Sequence, residues 1–209
     1  MEDKRPMYKV EVDLNNSVMD VISFVEAGAI EVDFVALSKQ PQEKLVQLSE
    51  DKRIIISPIL IPDKPIYRND DGYEYDMYFD REAITKLQYL FMKDKNINKA
   101  NLDHDPKEKV DGVVLLEIWM KESENDKSKD YELFKDLPQG TLFVKEKIDN
   151  DELWKDIKNK TYKGLSIECL IKLLPVNMNH VTKFKLDFSK ANKTLSNIDT
   201  ILKINNVKL

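Results

Sequence analysis

Three residues could together open a peptide or ester bond. His104 lies in NLDHDP (101–106), Ser166 in YKGLSIECL (162–170), and the second histidine of the chain, His180, in PVNMNH (175–180). A neutral imidazole can take the proton of a serine hydroxyl near neutral pH. The serine so activated attacks a carbonyl carbon, provided that a third group orients the imidazole from its other nitrogen. If LSIECLI is a strand, Ser166, Glu168 and Leu170 share one face, and Leu165, Ile167, Cys169 and Ile171 share the other. Ser166 and Glu168 then sit about 6.6 Å apart, and an imidazole placed between them touches both. Gly164, just upstream, allows a close backbone approach. Asp105 is a second candidate acid, but an extended backbone points it away from His104 unless the chain turns near Asp105-Pro106. His180 is a third candidate orienter. Plainer roles compete for each residue: a surface histidine in an acidic turn, a core serine bonded to a carbonyl, a loop histidine.

Other chemistries find less support. Carboxylates are too dispersed to fix a metal, and the single cysteine, Cys169, offers neither a disulfide nor zinc-ligand spacing. Its strand position makes it a small core residue. HExxH, GxSxG and a Gly-rich phosphate loop are all missing. A Ser-His mechanism needs no metal and no cofactor.

These residues must be positioned by the elements around them. Tyr8 to Leu14 alternates as a half-buried strand, as do residues 29–37. Pro41 opens a short helix over PQEKLVQLSED. RIIISPILIP (53–62) is a strand apolar on both faces, with Pro58 marking a bulge or an edge. NDDG (69–72) turns the chain into the alternating partner YEYDMYF (73–79). Asp80 caps an amphipathic helix over about 81–95, and KNINKAN leads out of it. VVLLEIWM (113–120) is a buried strand, KESENDKSKD (121–130) a solvated loop, and TLFVKEK (141–147) a strand. Asn150 caps a helix carrying Leu153, Trp154 and Ile157, and the Ser166 strand follows. Alternation at Phe184–Phe188 and a short terminal helix complete the chain.

Without regular βαβ alternation, this series predicts an α+β fold, with a mostly antiparallel, barrel-like core and flanking helices. The series divides into one domain over 1–175 and a C-terminal extension, a strand plus a short helix, over 176–209. The 209 residues are 42% hydrophobic and carry a net charge of −5 from well-mixed charges, enough for one core. This balance argues against a general binder of nucleic acid or membrane surfaces. The lone cysteine, the absence of an apolar segment in MEDKRPMYKV and the lack of a long apolar run point to an intracellular protein without membrane spans.

Taken in order, the motifs resemble the capsid-maturation (prohead) serine proteases of tailed bacteriophages, which share a fold with herpesvirus assemblins. The resemblance runs over about residues 8–172. It rests on DVISFVEAGAIEVDFVALSK, then RIIISPILIPDKPIYR before a hairpin, then YFDREAITKLQYLFM, LDHD, VDGVVLLEIWM and GLSIE. It implies a small β-barrel core surrounded by helices, and a serine endopeptidase acting in the host cytoplasm inside the immature capsid. His104 matches the catalytic histidine and Ser166 the nucleophile. The third member varies in such enzymes between an acid and a histidine, so Glu168, Asp105 and His180 stay open, with strand geometry favouring Glu168. Scaffold and major capsid proteins are the implied substrates, self-cleavage included, and a homo-oligomer is an open possibility. The tail after Pro175 would dock to scaffold or be removed. Two rivals stand beside this reading: an inactive, protease-like structural or scaffold protein of the phage head, and an esterase using the same pair.

Overall fold

The computed structural model describes residues 5–26, 35–36 and 52–176. The strand expected over 29–37 is described only at its end. The helix after Pro41, the C-terminal extension and His180 lie outside the described residues.

Among the described residues, twelve strands and two α-helices follow one another. In chain order they are β1 (Met7–Glu11), β2 (Val18–Val25), β3 (Val35–Ala36), β4 (Ile54–Leu60), β5 (Ile66–Asp70), β6 (Tyr73–Tyr78), α1 (Arg81–Lys93), β7 (Ala100–Leu102), β8 (Asp105–Lys109), β9 (Val113–Met120), β10 (Leu142–Ile148), α2 (Asp151–Lys158), β11 (Gly164–Leu170) and β12 (Lys172–Pro175). They form three four-stranded sheets, ordered β12-β1-β6-β5, β3-β4-β10-β9 and β11-β2-β7-β8. Most pairs are antiparallel; β1–β6 and β2–β7 are parallel. None of the three closes on itself into a barrel. No helix among the described residues is long and apolar enough to cross a membrane.

All three sheets and both helices feed one core. Val10, Met19, Ile22, Phe24, Ile55, Met77, Leu87 and Trp154 belong to a single buried cluster. Local chemistry explains the elements that feed it. Asp80 accepts Ala83 N–H at 2.8 Å and starts α1, and Asn150 accepts Leu153 N–H at 2.9 Å and starts α2. Asp71 and Gly72, both at positive φ, turn β5 into β6. Pro58 faces a register shift in β10, so the expected bulge is present.

Four features differ from the sequence reading. Residues 18–25, read above only as part of a resemblance, form a long strand at the centre of a sheet, because VMDVISFV is buried on both faces and so lacks alternation. Leu14 sits in the turn after β1 and is exposed. β9 ends its sheet, which leaves Val114 and Leu116 open to solvent. The loop after it is not wholly solvated: Lys121 is fully buried, its Nζ donating to the carbonyls of Lys135 and Leu137 at 3.0 and 2.7 Å. The aromatic cluster of Phe134 and Phe143, with Trp119 stacked on Phe143, packs close by.

Candidate active site

The sheet β11-β2-β7-β8 carries the site. Its middle strand β2 runs antiparallel to β11, with Ser166 opposite Ser23, and parallel to β7, with Ser23 beside Asn101. Directly opposed residues present their side chains to the same face of a sheet. Ser166, Ser23 and Asn101 therefore form a polar row across three strands. Glu168, two residues along β11, joins the same face. Leu165, Ile167 and Cys169 turn to the other face and pack on the core, as the alternation of LSIECLI predicts. Burial pushes the Cys169 thiol up to about 11, so it is no thiolate nucleophile near neutral pH.

His104 arrives from a different element. Leu102 pairs with Asp105, so Asp103 and His104 are the two residues of a tight hairpin turn between β7 and β8. Both have positive φ, 45° and 63°, as a type I′ turn requires. Neither is glycine, and aspartate and histidine are among the side chains that enter this region most readily. Two bonds fix the turn to β2: Asp103 N–H donates to the Phe24 carbonyl at 2.9 Å, and the Asp103 carboxylate accepts Glu26 N–H at 3.2 Å.

So placed, the imidazole lies over the polar row. His104 Nδ1 is 3.1 Å from Ser23 Oγ and 3.4 Å from Glu168 Oε1. Ser23 Oγ also donates to Glu168 Oε1 at 3.2 Å, and Asn101 Nδ2 donates to that same oxygen at 2.6 Å. The carboxylate is thus held by two side chains while its partner imidazole stays partly open to solvent, 40% exposed against 33% for Glu168.

The expected members are brought together unequally. Glu168 meets His104. Asp105 does not: its exposed carboxylate caps Lys107 N–H at 2.8 Å on its own strand. Ser166 is half-buried in the same row, one strand from Ser23, and among the described residues no hydrogen bond joins it to His104. Cross-strand neighbours have Cβ atoms about 5 Å apart, so Ser166 lies within a side-chain length of the position held by Ser23. Ser23 itself touches the imidazole but is fully buried, whereas Ser166 is half-buried.

Two residues of this site escaped the sequence reading of roles. Ser23 is the one hydroxyl in the apolar run VISFV, a signal that could have marked it. Asn101 was visible in the polar cluster around His104, but nothing local revealed its partner 67 residues away. Among the described residues no three His, Cys, Asp or Glu side chains come together to hold a metal ion.

The family model described as "Putative phage serine protease XkdF" matches residues 43–174. No curated protein and no solved structure matched the chain.

Proposed function

Because the chain belongs to the XkdF family of phage serine proteases, we propose that it is an endopeptidase of the phage prohead, cleaving scaffold and capsid proteins, and itself, as the capsid matures in the host cytoplasm. Ser166 is the nucleophile in this reading, His104 its base and Glu168 the acid that orients the base. The observation that carries it is the imidazole–carboxylate contact, 3.4 Å between His104 Nδ1 and Glu168 Oε1, on the sheet face that also bears Ser166.

The mechanism follows from that face. With Nδ1 turned toward Glu168, Nε2 is the nitrogen left for Ser166. Substrate binding brings Ser166 Oγ and Nε2 into contact, since catalytic hydrogen bonds are often long without substrate. Oγ then adds to the scissile carbonyl as its proton passes to Nε2, a step worth roughly 10²–10⁴ in rate. The imidazolium gives that proton to the leaving amine, and water releases the acyl group by the same route. The assemblin-like arrangement belongs to the same proposal.

The test is intact-mass spectrometry of the head's scaffold and capsid proteins incubated with wild type and with Ser166→Ala. Fragments that need Ser166 are expected. Cleavage by Ser166→Ala at the wild-type rate would refute the nucleophile. No cleavage by either, within assembled proheads too, would favour a structural protein of the head.

A further inference from the structure

We infer that Ser23 is a positioning residue: it sets the tautomer of His104 and joins the imidazole to Glu168. This deepens the proteolytic reading above and rests on it. The argument is one of donors and acceptors. Ser23 Oγ has a single proton and two neighbours, Glu168 Oε1 at 3.2 Å and His104 Nδ1 at 3.1 Å. An ionised carboxylate only accepts. If the hydroxyl gave its proton to Nδ1, its lone pairs would face the carboxylate oxygen inside a fully buried position, a costly arrangement. The proton therefore points at Glu168. Nδ1 then must be the donor, with Ser23 Oγ accepting from it.

The chain of bonds runs from Nδ1–H to Ser23 Oγ, and from Ser23 O–H to Glu168 Oε1. It leaves Nε2 without a proton, which is the form a general base for Ser166 needs. The direct Nδ1 to Oε1 approach, 3.4 Å, is longer than either link through Ser23, 3.1 and 3.2 Å. Ser23 fills that gap. When Nε2 takes the proton of Ser166, the ring becomes cationic. Its Nδ1–H bond to Ser23 tightens, and the Ser23 proton stays directed at the carboxylate. No proton reaches Glu168.

Two features of the fold hold this bridge in place. Ser23 sits on the middle strand between Ser166 and Asn101, so it cannot rotate out to solvent. Asn101 Nδ2, at 2.6 Å, fixes the same carboxylate oxygen that Ser23 uses.

The experiment is nitrogen-15 NMR of histidine-labelled protein at a pH where the ring is neutral, with His104→Gln assigning the signals. It is paired with kcat and KM for wild type, Ser23→Ala and Ser23→Thr. Wild type should show a protonated Nδ1 and a bare Nε2. Ser23→Ala should mix the tautomers and lose about 10- to 100-fold in kcat with KM little changed, the scale of one hydrogen bond to a charged group. Ser23→Thr, which keeps the hydroxyl, should recover the wild-type tautomer. A wild-type His104 carrying its proton on Nε2 would overturn the inference, and so would a Ser23→Ala spectrum identical to wild type. Should Ser23→Ala fail to fold, Ser23→Cys, similar in size but a much weaker donor and acceptor, takes its place, and a spectrum and kcat equal to wild type would overturn the inference. Should no protein cleave substrate while the spectra are as expected, the bridge stands and the proteolytic reading falls.

Discussion

Raising the pH from 5 to 7 should weaken this fold through one side chain, Glu146. It sits on β10 between Val144 and Ile148 on the face turned to the core, opposite Ile55 and Leu115. The residue is buried, and its Oε2 has no hydrogen-bond partner. Burial alone pushes its carboxyl up to about 8, against 4.5 when unperturbed. The sign follows from linkage. The folded chain keeps the proton up to about pH 8, whereas the unfolded chain loses it near 4.5. Between these values the unfolded state binds fewer protons, so stability falls as pH rises, by about 1.4 kcal/mol per unit. From pH 5 to pH 7 the loss is about 3 kcal/mol, a large part of a typical 5–15 kcal/mol. Other carboxylates act in the opposite sense. Salt bridges to Lys127 and Lys145 lower that of Glu117, and Lys9 and the Ala83 N–H outweigh burial at Asp80. The difference between wild type and a variant isolates Glu146. Urea unfolding of wild type, Glu146→Gln and Glu146→Leu at half-unit steps from pH 5 to pH 8 is the assay. Each variant should gain on wild type by about 3 kcal/mol across the first two units, with unchanged m-values. A wild type–variant gap that stays constant over that range would refute the reasoning.

The proposed acid, Glu168, and the buried Lys121 can each be tested by substitution. Glu168→Gln keeps an acceptor for Ser23 and Asn101 but removes the charge; kcat should drop about 10²- to 10⁴-fold, measured on a peptide spanning a mapped cleavage site, while Asp105→Asn changes it less than about threefold. An equal loss from both would return Asp105 to the machinery. Lys121→Met keeps the apolar stem and strips two carbonyls of their donor, so unfolding should need about 1–3 kcal/mol less. Limited proteolysis within residues 121–140 should quicken in parallel; unaltered digestion would show that Lys121 does not hold the loop.

The left-handed turn at Asp103-His104 is where local preference and the site part company. A type I′ hairpin favours glycine or asparagine at these positions. LDHD reads as polar, with a turn expected near Asp105-Pro106 if anywhere; the turn falls earlier, at Asp103-His104, and Asp105 still points away from the imidazole. Asp103 serves the turn by accepting Glu26 N–H, and Asp105 serves its own strand.

Short-range chemistry was legible in the sequence by itself. The caps Asp80 and Asn150, the NDDG hairpin, the bulge at Pro58 and the two faces of LSIECLI each depend on neighbours a few residues away, and each is present. Only the tertiary structure decided which strands lie side by side. Ser23 meets His104 across 81 residues and Glu168 across 145, because β2 lies between β11 and β7. Lys121, expected in a solvated loop, and Glu146, on a strand given no faces, are buried for the same reason. Periodicity tells which residues share a face of one element. It carries no information on what that face will meet, since strand order is set by the packing of the whole core.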